Sequence, residues 1–112
     1  MNTKGVYLGE LEELVLLSVA TLSEDVYGVT VKRYIFQETG RSVNISAIHE
    51  VLKRLQRKGY LTSRIGGATK TRGGRRKRLF ELTAAGRNKL EQVITMKMQM
   101  YKQVPNISIK LT

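Results

Sequence analysis

The sequence predicts a mainly α fold with a small β-hairpin: three helices, a two-stranded hairpin with a polar glycine-rich tip, and one further helix. Three observations carry this. Apolar residues recur at helical spacing in four segments, alternation replaces that spacing in YLTSRI (60–65) and RKRLFELT (76–83), and glycine, asparagine or threonine stands where helices must start or stop. At 112 residues the chain has room for one domain.

The first helix is expected over Leu8–Leu22, where Leu11, Leu14, Val15, Ser18 and Leu22 form a stripe that Leu16, Leu17 and Val19 widen. It is therefore buried on more than one side. Glu10, Glu12 and Glu13 fall in its first turn, where carboxylates oppose the positive end of the helix dipole, and Gly9 is a suitable cap. That placement explains the cluster better than a metal or acid–base site does.

SEDVYG interrupts the pattern, and a second helix runs from Tyr27 to Thr39, with Tyr27, Val31 and Ile35 in four-residue steps and Gly40 as its stop. After the extended stretch RSVNI, Asn44 caps a third helix whose inner face is Ile45, Ile48, Leu52 and Leu55. Its other face carries Ser46, Ala47, His49, Glu50, Lys53, Arg54 and Arg57, and Gly59 ends it in the left-handed conformation.

In the hairpin, Leu61 and Ile65 mark the inward positions of one strand, and Phe80 and Leu82 those of the other. GGATKTRGG (66–74) is too polar for a core and makes a long tip. Thr83 caps the last helix, which runs to about Gln103, short of Pro105. This element order is that of a winged helix-turn-helix with one added C-terminal helix, for which a dimerisation role is expected; in this architecture the third helix fills the major groove and the hairpin lies along the adjacent backbone or minor groove. Residues 1–83 form the winged-helix DNA-binding domain; residues 84–112, the dimerisation helix and a short tail, complete one compact unit.

Charge points to the partner. Twenty Lys and Arg against nine Asp and Glu leave a formal net charge of +11, a field that attracts polyanions such as nucleic acid or an acidic membrane face. The run from Lys70 to Arg78 is the densest part: Lys70, Thr71, Arg72, Gly73, Gly74, Arg75, Arg76, Lys77 and Arg78 hold six cations and no acid. Its glycines let backbone amides approach closely, and its forked and point charges suit phosphate oxygens. Such a wing supplies affinity more than sequence reading. On the third helix Asn44, Ser46, Ala47, His49 and Glu50 stand where base edges would be read, and Lys53, Arg54 and Arg57 can reach flanking phosphates.

His49 is the only histidine and cysteine is absent, so neither a typical zinc site nor a disulfide framework can form, and no Ser, Cys or Asp arrangement suggests a triad. The chain is not expected to be an enzyme or to need a cofactor. His49 itself is a phosphate or base contact, or merely exposed. No apolar run is long enough to span a bilayer and no secretory signal is present, so a cytoplasmic location is expected. Two non-enzymatic alternatives remain. A basic RNA-binding protein should spread its charge and expose aromatics for stacking, whereas here aromatics are 6% and charge gathers in the wing and third helix. A protein-binding adaptor would use the charge only for solubility.

LGELEELVLLSV, the pair Tyr27–Gly28, SAIHEVLKRLQRKGYL and the wing RGGRRKRLFELTAAG with the helix after it resemble the PadR family of bacterial regulators over about residues 5 to 91. The resemblance implies a homodimeric repressor of an inverted-repeat operator on double-stranded DNA, with the C-terminal helix as dimer interface, in a group where ligand-responsive release is common. His49 stands where family members often have tyrosine, and the single C-terminal helix places the chain among the compact members. Some of those bind flat aromatic drugs in a tryptophan-lined dimer pore, but this chain has no tryptophan. Met96, Met98, Met100 and Tyr101 could still form an adaptable pocket for a small apolar effector, although a Met-rich helix is more often dimer core. For the interface itself we expect Leu90, Ile94, Tyr101 and Val104 on one side of the last helix, Val93, Met96 and Met100 beside them, and Leu11 and Leu14 from the first. Lys97 interrupts that stripe, its stem able to lie on apolar surface.

Overall fold

A computed structural model describes residues 7–68 and 76–105. The elements follow the expected order: α1 (Glu10–Thr21), α2 (Gly28–Thr39), α3 (Ile45–Arg57), β1 (Leu61–Ala68), β2 (Arg76–Leu82) and α4 (Ala84–Lys102). Of the expected wing residues, Lys70, Thr71, Arg72, Gly73, Gly74 and Arg75 lie outside the described residues.

Most helix ends are set by the residues read as caps. Gly9 precedes α1, and the Glu12 carboxylate accepts from the Gly9 N–H at 2.7 Å. Tyr27 is the cap of α2 rather than its first helical residue, its N–H held by Thr30 Oγ1 at 3.0 Å. Asn44 caps α3 by accepting from Ser46 N–H at 2.7 Å. Gly40 (φ +73°) and Gly59 (φ +85°) terminate α2 and α3 in the left-handed region that costs other residues strain. Past Gly59, the Tyr60 N–H returns to Leu55 O at 3.0 Å and closes the last turn.

The core joins α1 (Val15, Leu16, Val19), α2 (Val31, Ile35) and α3 (Ile48, Val51, Leu52, Leu55) to Leu61 and Phe80 of the hairpin and Leu90 of α4. Ser18 is buried with them, its hydroxyl donating to Leu14 O at 2.7 Å, and among the described residues no buried side-chain N or O atom lacks a partner. α1 is the central helix, packed against α2, α3, β2 and α4.

The hairpin departs from expectation in two ways. β1 continues through Gly66 to Ala68, residues read from sequence as loop, because an extra residue between Ile65 and Ala68 is taken up as a bulge opposite Arg78 and Arg76. Ile65 shares the inward side of the ladder with Leu61 and Ser63, yet it is 47% exposed, because the buried core reaches only the inner part of the hairpin, at Leu61 and Phe80. At the inner end the Phe80 N–H donates to Val26 O at 2.8 Å, which fastens the α1–α2 connection to the wing.

The exit from the hairpin explains the segment LTAAG. Thr83 Oγ1 accepts from Gly86 N–H at 3.0 Å and donates to Gly59 O at 2.7 Å, capping α4 while hooking it onto the end of α3. Gly86 backs against the Tyr60 carbonyl so closely that a Cβ there would lie 2.1 Å from its oxygen.

Candidate nucleic-acid interface

α3 and the tip-side part of β2 form a basic surface. One groove of about 460 Å³ is lined by Lys53, Gln56, Arg57 and Arg78. A second, about 470 Å³, is lined by Tyr27, Gly28, His49, Lys53, Arg76, Lys77, Arg78 and Phe80 among others. Lys53 and Arg78 belong to both, so the expected recognition helix and the described part of the expected wing share one face. Among the described residues, carboxylates pair with Arg41, Lys58, Arg64 and Lys97, and none with Lys53, Arg57, Arg76 or Arg78. This face therefore carries positive charge that no described carboxylate offsets.

Placement divides the expected residues. Ser46, His49, Glu50 and Lys53 are exposed on α3. Ala47 is half-buried and packs against the core, and the Asn44 carbonyl is occupied as a cap. Arg54 is exposed on the flank nearer α1, where its charge acts on Glu12. His49 lies against the start of α2, where a Cβ on Gly28 would come within 2.3 Å of its Nε2. The Lys77 amine stands over the Tyr27 ring, 4.4 Å from its centroid, and links the tip-side part of β2 to the start of α2.

Sequence reasoning missed the groove residue Gln56 and the hairpin residue Ser63 that holds it. Gln56 Oε1 is 3.0 Å from the Ser63 hydroxyl, and that hydroxyl accepts from Arg78 Nη1 at 3.0 Å, so helix and hairpin are tied side chain to side chain. A signal was present: Ser63 is a polar residue at an inward strand position between Leu61 and Ile65, and such a residue needs a partner.

The three glutamates opening α1 are spent on structure. Glu10 pairs with Arg41 at 2.7 Å, Glu12 with Lys58 at 2.7 Å, and Glu13 with Lys97. Burial would raise the Glu12 carboxyl, but the Gly9 N–H, the Lys58 ammonium and the Arg54 charge together outweigh it and hold the group below the ordinary carboxylate range. Lys97, which breaks the apolar stripe of α4, is thereby neutralised against α1. No group of His, Cys, Asp and Glu that could hold a metal ion occurs among the described residues. None of their helices is long and apolar enough to cross a membrane.

The model of the transcriptional regulator PadR-like family matches residues 16–92, from within α1 through the hairpin into α4. The chain belongs to the PadR-like family. PadR-like proteins are transcriptional regulators, so the protein is a regulator and not an enzyme. No curated protein matches it. Solved structures share the fold at low identity. A PadR-like transcription factor from Bacteroides fragilis is 17% identical with a TM-score of 0.67, over 82% of this chain and 84% of that one. A PadR family regulator from Clostridium difficile is 23% identical with a TM-score of 0.66, over 84% and 93%. Bacillus subtilis PadR, solved in complex with operator DNA, is 20% identical with a TM-score of 0.64, over 83% of this chain and 58% of that one.

Proposed function

We propose that this PadR-like regulator is a homodimeric repressor of an inverted-repeat operator, with α3 in the major groove and the hairpin along the neighbouring backbone. The observation that carries this reading is the basic face shared by α3 and β2, whose cations Lys53, Arg57, Arg76 and Arg78 have no carboxylate partner among the described residues. The operator complex of Bacillus subtilis PadR supports it by showing what a relative of this fold binds.

Dimerisation rests on α4. Its first half is bound into the chain: Leu90 is 9% exposed and lies in the core, with Ile94 packed on it. The second half projects, leaving Met96, Met98, Met100, Tyr101 and Val104 exposed, Met100 by 62%. A radius of gyration of 16.1 Å, against roughly 13 Å for a compact chain of this length, agrees with such projection. Pairing two α4 ends would cover this surface and set two α3 helices about one duplex turn apart, roughly 34 Å. A small apolar effector would find its pocket between the paired ends.

Selection of bound sequences from a random duplex pool tests the reading. The expected result is enrichment of an inverted repeat with half-sites one turn apart. Recovery of unrelated sequences, or of a single asymmetric site, would overturn it.

A further inference from the structure

Arg78, Ser63 and Gln56 form a directed relay across the junction of wing and helix. A guanidinium only donates, so at 3.0 Å the Ser63 oxygen must accept from Arg78. The hydroxyl has one proton to give, and Gln56 Oε1, also at 3.0 Å, receives it. Donation from a charged group polarises the hydroxyl and strengthens its own donation, which favours this direction. The Gln56 oxygen is therefore engaged toward the hairpin, and its NH₂ group is left for the groove. The other groove-lining side chains, Lys53, Arg57 and Arg78, carry donors and no acceptor.

From this we infer that the junction is a donor-only clamp for an acceptor-only group of the bound duplex, with Gln56 as a binding residue and Ser63 as the positioning residue that aims it. Such chemistry is offered by a backbone phosphate and, on the guanine edge that α3 would meet in the major groove, by O6 and N7. A free carboxamide turned the other way would favour donors instead, so the orientation set by Ser63 decides what the junction accepts. The inference rests on the duplex-binding reading above.

The test uses the full-length protein and a site recovered by the duplex selection; absence of any duplex binding by the unaltered chain would sink the earlier reading and this inference with it, whereas the variant results below bear on this inference alone. Gln56→Glu keeps an acceptor for Ser63 but replaces the groove donors with a carboxylate, and should weaken binding by more than about tenfold. Ser63→Ala and Gln56→Leu should each weaken it by roughly five- to tenfold, and the double variant by no more than the worse single, since both remove one relay. Ser63→Thr, which keeps the hydroxyl, should restore affinity, and the thermal midpoints of all variants should stay close to that of the parent. Methylphosphonate substitution of single phosphates and 7-deazaguanine substitution of single guanines identify the group bound. The loss caused by Gln56→Leu should vanish on one of those duplexes. Independent effects of the two single variants, unchanged affinity for Gln56→Glu, or a Gln56→Leu loss that persists on every substituted duplex would overturn the proposal.

Discussion

Gly28 and Gly86 are both closed to a methyl group, but by different neighbours. At Gly86 the obstacle is the Tyr60 carbonyl, main chain that cannot yield, whereas at Gly28 it is the exposed His49 ring, which can rotate. Gly86→Ala should cost about 2 to 3 kcal/mol of stability, measured by urea unfolding. Gly28→Ala should leave that curve nearly unchanged while displacing His49, and so should alter the bases preferred in selected sites; identical preferences would separate His49 from recognition. The Glu12–Lys58 pair makes a third residue-scale prediction. Its members are 6% and 16% exposed, so removing one leaves a charge with little water, and Lys58→Met should cost about 2 kcal/mol. Because Glu12 is held below its ordinary value of 4.5, the folded form binds fewer protons than the unfolded form near that pH. The stability it contributes is present above about pH 4.5 and lost as pH falls through the depressed value. Acid unfolding of Lys58→Met should be correspondingly shallower in that range.

Caps and turns were the most legible features of the elements, since Gly9, Asn44, Gly40, Gly59 and Thr83 each act through chemistry local to their own turn. Thr83→Ala should cost about 1 to 2 kcal/mol in thermal or urea unfolding, because it removes the α4 cap and the hook onto Gly59 together. Features that depend on distant partners were less legible. The alternation that placed Ile65 inward was correct as to side of the ladder, but not as to cover, because the extent of the core beneath a strand is not written in the strand. The bulge beside Gly66 hid the last residues of β1 for a related reason: glycine signals a turn or a bulge equally. At the interface, helical periodicity singled out the exposed face of α3, whereas the role of Gln56 depends on Ser63 and Arg78 in the hairpin. Leu90, which the stripe groups with the dimer surface, is instead buried in the chain's own core.

At the scale of the whole molecule, α1 ties the parts together. Its glutamates reach the turn before α3, the residue after α3, and α4, so the surface that would meet DNA and the helix that would meet a second chain are fastened to one element. A truncation through α4 would disturb the core at Leu90, and dimerisation is better tested by Met96→Glu with Met100→Glu, both on the projecting half. The intact chain should sediment as a dimer at micromolar concentration and the double variant as a folded monomer. A monomeric parent would remove the dimer and its inverted-repeat corollary together. The central claim, that the basic face of α3 and the hairpin binds duplex DNA through its phosphates, is tested most directly by the salt dependence of binding. With roughly six to ten phosphates neutralised per dimer, a plot of log affinity against log salt should fall with a slope of about −0.9 per contact, or roughly −5 to −9. A slope near zero would contradict it.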